Sequence, residues 1–69
     1  MVDGQKLRGL AVMKYGSVAK MAVALGWSYS KLNRIVNRIQ EPTAGDIREM
    51  TTALGITDAA EIVSVFSLT

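Results

Sequence analysis

The chain has 69 residues, 49% of them hydrophobic and 20% charged, with eight Lys and Arg against six Asp and Glu. That is the composition of one globular domain, not of a disordered segment. It has neither cysteine nor histidine, so disulfides, thiol nucleophiles, the common nucleophile–base pairs and ordinary transition-metal sites are all excluded.

A short helical chain with only six carboxylates offers little cleft for a substrate, and we expect no enzyme activity and no cofactor. The longest unbroken apolar run covers only residues 21–25, far too short to cross a bilayer. No signal peptide is recognisable, and the absence of cysteine fits a reducing compartment, so a cytoplasmic protein is expected. The charge is unevenly placed. Residues 1–40 carry Lys6, Arg8, Lys14, Lys20, Lys31, Arg34 and Arg38 against Asp3 alone, a balance of +6. Residues 41–69 carry Arg48 against Glu41, Asp46, Glu49, Asp58 and Glu61, a balance of −4. One half is suited to a polyanion and the other is not.

In chain order, a first helix is predicted over 5–15, with Leu7, Leu10, Ala11 and Tyr15 inward. Gly9 lies inside it at a cost of about 0.8–1 kcal/mol relative to Ala, which a close helix crossing would explain. Gly16 is placed to end this helix in the left-handed conformation. Ser17 caps a second helix over 17–25, with Val18, Met21, Ala22 and Leu25 inward and Gly26 at its end. Met13 and Met21 read as core or core-edge residues. Only Gly26, Trp27 and Ser28 separate the second helix from the third, the spacing of a helix-turn-helix. Trp27 either packs into the angle between the helices or lies exposed beside a ligand; packing is favoured because small cores use its large apolar area.

The third helix, predicted over 28–39, organises the chain. Leu32, Ile35, Val36 and Ile39 recur at i, i+3, i+4 and i+7, one helical face. The other side carries Asn33, Arg34, Asn37 and Arg38, with Tyr29 and Ser30 leading in, and the stretch holds no Asp or Glu. Arg and Asn have forked donors and acceptors that suit phosphates and base edges. Ser28 is a good N-cap, yet Lys31 stands where a capping box would place Glu. Ser17 followed by Lys20 repeats that pattern. A cation in the first turn opposes the helix dipole, but a phosphate at either terminus would be attracted by both. The alternative is two exposed lysines without a ligand.

Pro42 breaks the pattern. Thr43 with Asp46 forms a capping-box start for a fourth helix over 43–54, with Ile47, Met50, Thr51 and Leu54 on one face. Gly55 ends it and Ile56 tucks back into the core. Asp58 and Glu61 start a fifth helix over 58–67, whose inner stripe is Ala59, Ile62, Val63 and Phe66. Val65 and Leu68 fall off that stripe. Either the last helix docks all round on a small core, or the surplus is a dimer surface.

Residues 17–39 resemble the helix-turn-helix of Cro/CI-type phage repressors, the XRE-type regulators. Ala22 takes the small-residue position, Gly26 the turn, and Leu32 and Ile35 the two core positions of the second helix. "KLRG…KYGS" at 6–17, "ALGWS" at 24–28 and "DIREMTTALGITDAAEIVSVF" at 46–66 resemble the short Cro-like regulators of phages and prophages. The resemblance implies an all-α, compact five-helix lambda-repressor-like DNA-binding domain with no second domain, and the third helix in the major groove. The family's base-touching positions fall on Tyr29, Ser30 and Arg34. Arg34 is the candidate for a bidentate guanine contact. Asn33 reads adenine or bonds a phosphate; Tyr29 meets a thymine methyl or sugar, or packs on the capping turn. Ser17, Lys20, Ser28, Lys31, Asn37 and Arg38 are assigned to positioning on the backbone. Three positions depart from the family pattern: Val18 replaces a phosphate-touching Gln, Val36 replaces a Glu that pairs with a first-helix Arg, and the Gly closing the third helix falls on Gln40 or Arg38.

The expected function is that of a sequence-specific double-stranded DNA-binding regulator, a repressor of phage or prophage genes. It would act as a homodimer on an operator, with no membrane and no small-molecule ligand. A rival reading keeps the fold but binds a protein, as an antirepressor or toxin-neutralising partner, through the apolar tail and acidic second half. RNA binding is weaker, because the four aromatic residues do not cluster on one helical face.

Overall fold

The computed structural model describes residues 2–66. Among these residues five helices follow one another: α1 (Gly4–Tyr15), α2 (Val18–Leu25), α3 (Tyr29–Val36), α4 (Ala44–Leu54) and α5 (Ala59–Phe66). No strand occurs among the described residues, and no helix there is long and apolar enough to cross a membrane.

Local signals set most boundaries. Asp3, Ser17, Ser28 and Thr43 each accept a hydrogen bond from the backbone N–H three residues on, satisfying an otherwise orphaned donor. Thr43 and Asp46 complete a reciprocal capping box. Gly26 ends α2 at φ 73°, a left-handed conformation costly to any residue with a Cβ, and so lets the chain enter α3 after a three-residue turn.

One core joins all five helices. Leu7 and Ala11 meet Val18, Met21 and Ala22 of α2, Leu32, Ile35 and Val36 of α3, Met50 and Leu54 of α4, and Val65 and Phe66 of α5. Leu10, Tyr15, Leu25, Trp27, Ile47, Ile56 and Ile62 pack around it. The Tyr15 hydroxyl donates to the Ala53 carbonyl oxygen and ties α1 to α4. Val2 is also buried, and the Asp3 N–H donates to the Val65 carbonyl oxygen at 2.7 Å, which seals the N-terminus against α5.

Four expectations are corrected. Helix α3 ends at Val36 instead of 39, so Ile39 leaves the inner face and is 74% exposed. Met13 is not core-edge but 77% exposed. Gly9 faces open space, so no helix crossing explains it; the close approach is at Gly4, where a Cβ would collide with the Val36 carbonyl oxygen. In α5, Ala59 leaves the inner stripe and is exposed, whereas the burial of Val65 fits the reading in which the last helix docks all round, with the N-terminal segment against it. Leu68 and the predicted last residue of the helix, Ser67, lie outside the described residues.

Candidate nucleic-acid interface

Helix α3 separates its faces cleanly. Leu32, Ile35 and Val36 are buried, while Tyr29, Ser30, Arg34 and, just past the helix, Asn37 and Arg38 are exposed. Asn33 is half-buried, with its Oδ1 accepting from the Tyr29 hydroxyl at 3.4 Å. Residues 29, 33 and 37 and residues 30 and 34 follow four-residue spacing, so these side chains line one side of the element. Each remaining N–H at the exposed start of α3 is available to a ligand, since Ser28 Oγ takes only the Lys31 N–H.

The end of α3 is built in a specific way. Asn37 caps it, and Arg38 adopts φ 61°, the left-handed conformation that glycine normally supplies. The Arg38 N–H donates to the Ile35 carbonyl at 3.1 Å and the Ile39 N–H to the Arg34 carbonyl at 2.8 Å. These are the two bonds of a Schellman motif, with an arginine in the glycine position. This is why the helix stops three residues short of its apolar periodicity. It also settles which of Gln40 and Arg38 closes the helix.

The turn assembles a polar cluster. Arg8 Nη2 donates to Asn37 Oδ1 at 3.2 Å, which brings α1 to the end of α3. Arg34 Nε donates to Gln40 Oε1 at 2.9 Å. An open cleft of about 310 Å³ lies between the start of α1 and the end of α3, lined by Gly4, Gln5, Arg8, Asn37 and Arg38 among others. Sequence reasoning placed neither Arg8 nor Gln40 in the DNA-binding site. Both reach the site through tertiary or turn geometry, and only the excess of cations in the first half hinted at Arg8.

The two capping lysines have different environments. Lys20 folds back over the start of α2: a Cβ on Gly16 would stand 3.6 Å from its Nζ. There it adds to the positive end of the helix beside Ser17, whose Oγ accepts from the Lys20 N–H at 3.1 Å. Lys31 is engaged within the protein. Its Nζ lies 2.9 Å from Asp46 Oδ1 and 4.0 Å from the centroid of the half-buried Trp27 ring. The Trp27 ring is therefore a packing element that also seats this ammonium.

Asp46 is 7% exposed. Burial pushes its carboxyl pKa up, but the Thr43 backbone N–H and the Lys31 ammonium stabilise the charged form more strongly, and the net value lies below the ordinary carboxylate value. Comparisons with protein-family models, with curated proteins and with solved structures found no match, which leaves the residues and their geometry to carry the functional reading.

Proposed function

We propose that the chain is a sequence-specific double-stranded DNA-binding domain that regulates transcription in the manner of Cro/CI-type phage repressors, with α3 in the major groove. The observation that carries this reading is the acid-free outer side of α3, which sets exposed Tyr29, Ser30 and Arg34 and half-buried Asn33 opposite a buried Leu32–Ile35–Val36 face. Arg34 is the base reader, and Asn37, Arg38, Lys20, Ser17 and Ser28 hold phosphates. Lys31, engaged by Asp46, orients α3 instead of contacting DNA. Arg8 joins the phosphate-facing group through Asn37.

Pairing into a dimer on a two-fold operator belongs to the same proposal, as does action on phage or prophage genes. The buried Val65 removes one of the residues that pointed to the tail as the interface.

The test is selection from a pool of randomised duplex DNA, followed by sequencing of the bound fraction. An enriched inverted repeat with half-sites about 10 bp apart supports a dimeric reader. A single unrepeated motif keeps the DNA function and removes the dimer. No enrichment with folded protein at low salt sinks the reading and turns the search to protein partners.

A further inference from the structure

We infer that Gln40 is a positioning residue that fixes how Arg34 presents its guanidinium; this rests on the reading that α3 lies in the major groove. The two lie six positions apart in sequence. They meet because Arg38, in its left-handed conformation, sends the chain back over the last turn of α3. Gln40 is then held to Arg34 twice. Its backbone N–H donates to the Arg34 carbonyl at 3.3 Å, beside the Ile39 N–H at 2.8 Å. Its side-chain Oε1 accepts from Arg34 Nε at 2.9 Å.

This arrangement has a chemical consequence. Arginine can offer a fork to a planar acceptor side-on, through Nε and one Nη, or end-on, through both Nη atoms. With Nε bound to Gln40, only the end-on fork remains. Two acceptors on one base edge, guanine N7 and O6, match that fork. Gln40 also restricts a long exposed side chain before DNA arrives, so less rotamer freedom is lost on binding. Gln40 thus acts through Arg34 and touches no base itself.

The experiment compares wild type, Arg34→Ala, Gln40→Ala and Gln40→Glu in the duplex selection, followed by competition titrations against operators changed at one base pair at a time. Melting curves establish that each variant is folded. The readout is the ratio of affinities for guanine and for the other bases at the Arg34 position, not affinity itself. Arg34→Ala removes the preference there. Gln40→Ala lowers the ratio at that same base pair by about 3- to 10-fold, the worth of one ordered side chain, and leaves the other positions unchanged. Gln40→Glu restores the ratio, because a carboxylate accepts from Nε at least as well as an amide. If Gln40→Ala keeps the full ratio while Arg34→Ala loses it, the inference is overturned and the DNA-binding reading stands. If folded wild type has no preference, or Arg34→Ala leaves the preference intact, the assignment of Arg34 falls and the role of Gln40 falls with it.

Discussion

Asp46 performs two tasks with one carboxylate. Its Oδ2 accepts from the Thr43 N–H at 3.0 Å and completes the cap of α4, while its Oδ1 holds Lys31 at 2.9 Å and ties α3 to α4. The charged form is favoured in the folded state, so its pKa is lower there than in the unfolded chain. A group depressed in this way contributes stability above its unfolded pKa of about 3.9 and loses that contribution as pH falls through the folded value. Asp46→Asn should destabilise the protein by about 1–3 kcal/mol at pH 7, the range for removing one partner of a poorly solvated hydrogen-bonded pair. The gap from wild type should narrow as pH drops below about 4. Urea melts of both proteins from pH 7 to pH 3 check this; a gap independent of pH would mean that the charge of Asp46 carries none of the loss. Arg38 makes the opposite case. Its left-handed conformation is unfavourable for a residue with a Cβ, so Arg38→Gly should stabilise the fold by about 0.5–1 kcal/mol. If Arg38 also meets a phosphate, the same variant binds DNA more weakly, and stability and affinity move in opposite directions.

Two glycines in α1 separate propensity from packing. Gly9 is mid-helix, exposed and surrounded by open space, so Gly9→Ala should stabilise by about 0.8–1 kcal/mol, a rise in Tm of about 4–8 °C for a domain this size. Gly4 sits at the helix start, where a Cβ meets the Val36 carbonyl oxygen. Gly4→Ala should destabilise by about 1–3 kcal/mol, because backbone has to shift to admit the methyl. Thermal denaturation of the two variants beside wild type decides it; equal shifts would remove the contact between the start of α1 and the end of α3. These elements also mark what the chain made legible. The caps at Ser17, Ser28 and Thr43 and the glycine ends at Gly16, Gly26 and Gly55 are local chemistry within four residues, and a pattern reader finds them. The end of α3 was legible only through the resemblance, which left the closing position between Gln40 and Arg38. Ile39 continues the apolar period, and nothing local announces that Arg38 will take a glycine conformation. For the same reason Gln40 and Arg8 escaped the candidate site: one arrives by a turn, the other from a different helix. Val65 was left between two readings, a helix docked all round and a dimer surface, because the segment it packs against, at Val2 and Asp3, lies more than sixty positions away in sequence.

At the scale of the whole molecule, charge is segregated along the chain. The first 40 residues hold seven of the eight cations, and the remaining 29 hold five of the six carboxylates. The ion pair of Lys31 with Asp46 joins the two groups, which takes one cation out of any field presented to a polyanion. Binding to DNA should therefore weaken steeply with salt, log Kd rising with log salt by about 0.9 per phosphate neutralised. Lys20→Ala should reduce that slope by about 0.9 with no change in base preference. Lys31→Ala should lower the melting temperature and leave the slope unchanged, because its charge is already neutralised by Asp46. Glu49→Gln and Glu61→Gln, in the acidic half, should leave slope and preference alike unaltered, beyond a modest general gain in affinity from the lower net negative charge. Titrations at four or more salt concentrations distinguish these outcomes. A slope that responds to Lys31 as strongly as to Lys20 would mean that DNA breaks the Lys31–Asp46 pair. α3 would then give up its tether to α4 on binding, and the orientation of the reading helix would differ between the free and bound protein.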